Sequence, residues 1–438
     1  MRGRTSAVAI ILAVAIRVGA FGQDAGGSGD VFDTSAFDQA TNPGTQSGTP
    51  GTQVTAATQP AAATPAAQEA QVEYLVGGSF LSDNALVTAT DLSWYTAGGT
   101  ASGKIFAKVT VPDFGSLYAG YNVLHNLYQG YGGTLPTASA AFLSPPVGDL
   151  YSLDLALSEL YYSFDIAKAV FVRIGNQLIS WGPSSIWTPV DFINLQRTNP
   201  LTSLDLRVGK PGIRVHVPFS SSNVFLFGDF SGTVTPSGVQ DPLRTTILSA
   251  RWDLTVAGAE LALTGSWGQS IQNRYGFDFS GRLLGFDVYG ETAAAFPYGS
   301  YAQSWASSLG FQRTLGDLGY WSISGEFFYN SAGTADTSIY PAMVASRTFA
   351  PFYVGQYYAY ASLARSHFFV DGVTMSAAGF ANLSDASYLV RTALAVSVPN
   401  LVPFTLAVSY AGGGPGKEFT LFNADGAVTV DLRFQFEF

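Results

Sequence analysis

Cysteine occurs nowhere in the 438 residues. Disulfide frameworks, thiol nucleophiles, thiolate metal sites and an acylated N-terminal cysteine are therefore excluded together. Histidine is nearly as scarce. His125, His216 and His367 are the only three, and they lie too far apart to show a metal-ligand spacing. No G-x-S-x-G occurs. The glycine-rich GGGPGK at Gly412 to Lys417 lacks the Ser or Thr that completes a phosphate loop. No catalytic residue, metal site or cofactor is assigned, and the chain is read as a non-enzyme.

Charge is the next shortage. Only 12% of residues are Asp, Glu, Lys or Arg, against about 25% in typical soluble domains, while 47% are hydrophobic and 14% aromatic. Past the N-terminus, no run approaches the ~18 uninterrupted apolar residues that a spanning helix needs. Low charge without a spanning helix fits a transmembrane β-barrel, which hides its hydrophobicity in alternation.

The N-terminus has basic Arg2 and Arg4, an apolar stretch from Ala7 to Ile16 and a small-residue cleavage site at Ala20-Phe21-Gly22. Residues 1–22 read as a secretory signal peptide. Residues 23–72 are a low-complexity arm rich in Thr, Ala, Gln, Gly and Pro, acidic and with no basic residue. Such a segment cannot bury enough apolar surface to fold alone and is expected to be a disordered periplasmic arm. Its one apolar stretch is VFDTSAFDQ, with Phe32 and Phe37. Without Arg2, Arg4 and Arg17, 18 basic residues face 31 acidic ones, a net −13 that argues against nucleic acid as a partner.

From about residue 85, period-2 segments follow one another. Examples are SGKIFAKVTV, GAELALTGSW, RYGFDFSGRL and YWSISGEFFY, punctuated by Gly and Pro turns. About 18 can be counted, with 16 as the nearest alternative and 14 a more distant one. Short connections such as VPDFG, TVAG and RLLG alternate with long ones such as Asn122 to Leu150, Gly182 to Leu206 and Ala332 to Gly355. An up-and-down antiparallel barrel with both termini on the periplasmic side orders its turns this way.

Charges fall on the parity opposite the aromatic and aliphatic rows, as expected of a lumen face. On this face the reading places Arg173, Arg214, Arg251, Arg274, Arg282, Arg391 and Arg433, against Asp253, Glu260, Asp278, Asp287, Glu291, Glu326, Asp431 and Glu437. Arg313 and Arg365 fall on the apolar parity, but beside short turns. A register shift is expected near Glu159, within Ser152 to Phe164.

The chain ends VTVDLRFQFEF, one wholly apolar face and one wholly polar. With its terminal Phe438, it resembles bacterial outer-membrane β-barrel proteins. The resemblance implies a barrel from residue 73 to 438 in the outer membrane, and that Phe434, Phe436 and Phe438 form the signal read by the barrel assembly machinery. A second resemblance, to porin- and exporter-like families, rests on R-x-G-x-Q-x-x-x-W-G from Arg173 to Gly182 and P-x-D-x-x-N from Pro189 to Asn194. It implies a strand running into an infolded loop. That loop is too apolar to float in water, so Trp187, Asp191, Phe192, Asn194 and Arg197 are candidates for a constriction.

The reading that follows is a porin or substrate-selective diffusion channel for small solutes, with outer-membrane lipid and the assembly machinery as partners. Two alternatives stay open: a hydrophobic-solute uptake barrel of the long-chain fatty-acid type, and a structural or adhesive barrel whose loops bind a host.

Overall fold

Alternation becomes a wall of eighteen antiparallel strands. The structure, a computed structural model, describes residues 72–133, 153–193, 207–235, 238–316, 318–346, 348–421 and 426–438. The expected signal peptide and nearly all of the arm lie outside these residues, as do Asn194 and Arg197.

The first part of the wall comprises β1 (Glu73–Ala89), β2 (Trp94–Val111), β3 (Gly115–Gly133), β4 (Leu153–Ile166), β5 (Val170–Gln177), β6 (Lys210–Pro218) and β7 (Ser222–Asp229). A two-stranded hairpin, β8 (Val234–Thr235) with β9 (Gly238–Val239), forms a separate sheet. The wall resumes with β10 (Ile247–Val256), β11 (Ala259–Trp267), β12 (Arg274–Leu283), β13 (Phe286–Ala295), β14 (Ser304–Leu315) and β15 (Trp321–Asn330). It ends with β16 (Tyr357–Arg365), β17 (Val373–Asn382), β18 (Ser387–Val396), β19 (Phe404–Gly412) and β20 (Ala427–Glu437).

Each strand pairs with the next, and β20 pairs with β1 from Ala89↔Ala427 to Ser79↔Glu437, which closes the barrel. Closure leaves the wall without an open strand edge. The seam continues one residue further: the Gly78 N–H donates to the Phe438 carbonyl at 2.9 Å, and the Phe438 N–H to Gly78 at 3.0 Å. A Cβ on Gly78 would stand 2.8 Å from the Phe438 ring and 2.6 Å from the Lys104 carbonyl oxygen, so only glycine fits there. Phe80 and Phe436 pack across the same seam at 5.1 Å.

Exposure alternates with parity on β12 and β15. On β12, Tyr275 and Phe277 are exposed on the outer surface, while Asp278 is buried inside. Phe327 and Trp321 on β15 are likewise exposed and Glu326 is buried. Arg313 and Arg365, on the outward parity, lie over the rings of Phe286 (4.7 Å) and Trp321 (5.2 Å) next to short turns. The register shift in β4 falls at Ser158: Gly120 pairs with Glu159 and Tyr121 with Leu157. This bulge turns both Ser158 and Glu159 inward and buries them.

The first strand begins at Glu73, about twelve residues before its alternation becomes legible, because Gly77, Gly78 and Ser79 interrupt the apolar row. Two expectations need correction. Asn122 to Gly133 is strand rather than connection. The short-long alternation is also incomplete, since the long-loop end carries two tight hairpins at 90–93 and 383–386, turned by Leu92 (φ 58°) and Ala386 (φ 58°).

Candidate functional site

The strand β5 stops at Gln177, four residues short of Trp181, where the sequence pattern would end it. From there residues 178–193 run without regular structure across the barrel to the inner faces of β12 to β16. Seven wall strands separate β5 from β15 one way round and nine the other, so the segment crosses nearly a full diameter.

A segment crossing a barrel needs partners for its backbone, because buried N–H groups left unpaired cost about 1–3 kcal/mol each. Wall carboxylates supply them. Leu178 N–H donates to Glu159 Oε1 at 3.0 Å, and Glu159 also holds Lys104 Nζ at 3.0 Å. Glu291 receives the N–H groups of Ser184 (2.8 Å) and Val190 (3.0 Å). Glu326 receives three consecutive N–H groups, those of Ser185 (3.1 Å), Ile186 (3.2 Å) and Trp187 (2.7 Å). The Tyr289 hydroxyl also donates to Glu326, and Ser184 Oγ meets Ser308 Oγ at 2.7 Å. Successive N–H groups converging on one carboxylate form a backbone nest for an anion.

Apolar packing completes the fit. Trp187 is fully buried, stacked on Phe328 at 5.4 Å, and clusters with Phe352, Tyr358, Phe380 and Leu389; its Nε1–H donates to the Phe352 carbonyl at 2.9 Å. Val190 and Phe192 press on Ala293 and over Gly276, where a Cβ would come within 2.7 Å of Val190. Ile179, Trp181 and Ile193 pack with Phe227 of β7.

These contacts change what several candidates do. Glu291 and Glu326 lie on the inner side of the wall, but both are only 3% exposed beneath the segment, so neither presents a charge to water. Asp191 is also buried; it accepts from Ser180 Oγ at 3.2 Å and pairs with Arg207 at 3.6 Å. Trp187 and Phe192 anchor the segment and do not line an opening. Arg282 and Glu260 sit at the rim by short turns; Arg282 is paired with Asp287 at 3.0 Å, and both side chains are largely exposed.

The loops above β15 and β19 lock onto the same cluster. Glu418 accepts from the Phe352 N–H, the Tyr358 hydroxyl (2.8 Å) and Asn382 Nδ2 (2.7 Å), and its own N–H donates to Asp385 at 2.8 Å. Tyr340, on a short helix Tyr340–Ala345, donates to Asp385 at 3.3 Å. Burial pushes the Glu418 carboxyl up to about 7 from its ordinary 4.5, and the neighbouring Asp385 carboxylate adds to the rise. Sequence reasoning missed Glu159, Glu418 and Asp385 as anchors. Glu159 stood out only as a carboxylate in an apolar stretch, and Glu418 and Asp385, in polar loop sequence, gave no signal.

The remaining inner wall carries the charges. Arg251 grips Asp278 through two nitrogens at 2.6 and 3.0 Å and pairs with Asp253 at 2.6 Å. Arg391 pairs with Asp431, and Arg433 with Asp83 at 3.0 Å. Arg173 and Arg214 face one another across β5 and β6; Arg173 lies 4.1 Å over the Tyr161 ring, Arg214 5.2 Å over Phe225. His216 stacks on Phe225 at 4.3 Å beside them.

No family model matches the chain, and no curated protein matches it in sequence. Solved structures do match in fold. The BenF-like porin of Pseudomonas fluorescens superposes with a TM-score of 0.53 at 10% identity, covering 84% of this chain and 98% of that one. OccK2 (OpdF) of Pseudomonas aeruginosa gives 0.54 at 9% identity over 83% and 97%. OpdK of Pseudomonas aeruginosa, solved with vanillate, gives 0.51 at 10% identity over 83% and 99%. The fold is that of these porins.

Proposed function

We propose that the chain is a diffusion channel for small solutes in a bacterial outer membrane, with both termini on the periplasmic side. The observation that carries this reading is the strap of residues 178–193. It crosses the barrel and is held on β12 to β16 by Glu291 and Glu326. A strap that crosses the lumen narrows the barrel and leaves the charged inner faces of β18, β20, β1 to β6, β10 and β11 to line the path.

On that path Arg173 and Arg214, each over an aromatic ring, favour small planar anions, of which vanillate, present in the OpdK structure, is one example. Phe434, Phe436 and Phe438 on the closing strand serve as the assembly signal in this reading, and the outward aromatic face meets lipid. In the loop between β15 and β16, Tyr340 and Phe352 are buried, which favours the diffusion channel over the fatty-acid-type alternative.

In planar bilayers under a salt gradient, Arg173→Ala with Arg214→Ala is expected to move the reversal potential toward cation preference. An unchanged reversal potential would remove these two residues from the path.

A further inference from the structure

The end of the barrel that holds both chain termini has an unusual surface. Short turns exposed to water ordinarily carry polar residues, yet here most of them end in a large apolar side chain. Phe114 lies between β2 and β3, Phe219 between β6 and β7, Leu284 between β12 and β13, and Leu318 between β14 and β15. Phe369 and Val370 follow between β16 and β17, and Leu401 and Val402 between β18 and β19. Leu284 is 86% exposed, Phe369 88%, Leu318 73% and Phe114 72%, so the barrel itself covers none of them.

We propose that this end is seated in the lipid interface, with the apolar turn tips dipping into the headgroup layer of the nearer leaflet. The inference rests on the membrane reading above and adds a lipid-binding surface to it. Strand length sets the depth. The strands β10, β12, β13 and β15 each have 10 residues. At about 3.3 Å per residue and a tilt near 40°, they rise about 25 Å, the height of the apolar band of such barrels. Turns placed immediately beyond that band lie at the headgroups, not in bulk water.

The outer surface agrees. Near these tips the outward row carries Leu283, Phe311 and Trp321, all exposed. Arg313 and Arg365, lying over the outward rings of Phe286 and Trp321, place cations where lipid phosphates would be. The polar residues among the tips fit the same layer: His367, stacked on Tyr320 at 4.2 Å, and the Arg282–Asp287 pair. A protein partner would gain from the apolar tips but not from the arginines, which lie on the outer circumference. An interface of lipid uses both.

The absence of cysteine makes the test clean. Single cysteines at Leu284, Leu318 and Phe369 in the full chain, each carrying one environment-sensitive fluorophore, are reconstituted in phosphatidylcholine vesicles. Quenching is read with a nitroxide lipid labelled near its headgroup and with iodide on both sides of the membrane. Leu309, outward in the middle of β14, is the lipid-facing control, and Asp336, exposed in the loop above β15, the aqueous one.

The expected result is that the three turn labels lose most of their emission to the nitroxide lipid and little to iodide. Turn labels quenched by iodide, with Leu309 still quenched by lipid, would overturn the seating while leaving the membrane reading intact. Turn labels protected from both quenchers would overturn it in favour of a protein cover, such as residues 23–71. A Leu309 label untouched by lipid would overturn the membrane reading itself and the seating with it.

Discussion

Glu418 sits in the loop between β19 and β20 and accepts hydrogen bonds from two other elements, through Phe352, Tyr358 and Asn382. Its carboxyl, raised by burial to about 7, binds a proton more tightly in the packed loops than in an unfolded chain. Its contribution to loop packing is therefore complete below the ordinary carboxyl value of 4.5, declines as pH rises through that window, and is lost above about 7. Trypsin cleavage after Lys417, normalised to an unfolded substrate, is expected to be faster at about pH 8 than at about pH 6. Glu418→Gln, which keeps an acceptor without a charge, should flatten that difference. An equal pH response in both proteins would show that another group titrates. At Asp191 the expectation is of the opposite kind. The sequence marks it as a selectivity charge, but its pairing with Arg207 in a buried setting makes it structural. Removing one partner of a buried pair costs on the order of 3 kcal/mol. Asp191→Ala should thus lower the temperature at which the folded barrel is lost on heating, with the reversal potential unchanged.

Among the elements, the closing seam is the most sensitive to a single substitution. Gly78 exchanges two backbone hydrogen bonds with Phe438 and leaves room for its ring. Gly78→Val should reduce the fraction of heat-modifiable, protease-resistant barrel, whereas Gly379→Val, within β17 at a position with nothing within 4 Å and ordinary extended backbone, should reduce it much less. Equal effects would mean that the seam tolerates a side chain. The strands themselves were legible because period-2 alternation is local: in RYGFDFSGRL the outward Tyr275 and Phe277 and the inward Asp278 are visible from the residues alone. The infolded segment was legible only as a need for cover. Its apolar Trp187, Val190 and Phe192 had to be buried somewhere, but nothing near them in the chain names β12 to β16 as the place. The latch was illegible for a related reason. Glu326 looks like any inward carboxylate until the N–H groups of Ser185, Ile186 and Trp187 arrive from 139 to 141 residues away.

For the whole molecule, the strap leaves β5, crosses the lumen and locks with the loops above β15 and β19 on the far side from Arg173 and Arg214. In the proposed reading, this arrangement narrows the eighteen-stranded barrel to a path with a chemical preference. It also identifies the two carboxylates on which the narrowing depends. Glu291→Ala with Glu326→Ala leaves the lipid-facing surface and the strand pairing untouched, but removes the acceptors for five backbone N–H groups of the strap. Single-channel recording of the original chain and this double variant is the most direct test. The account predicts steady ohmic steps for the original and larger, noisier steps for the variant. Silent bilayers with the original chain, or identical steps from both proteins, would contradict it.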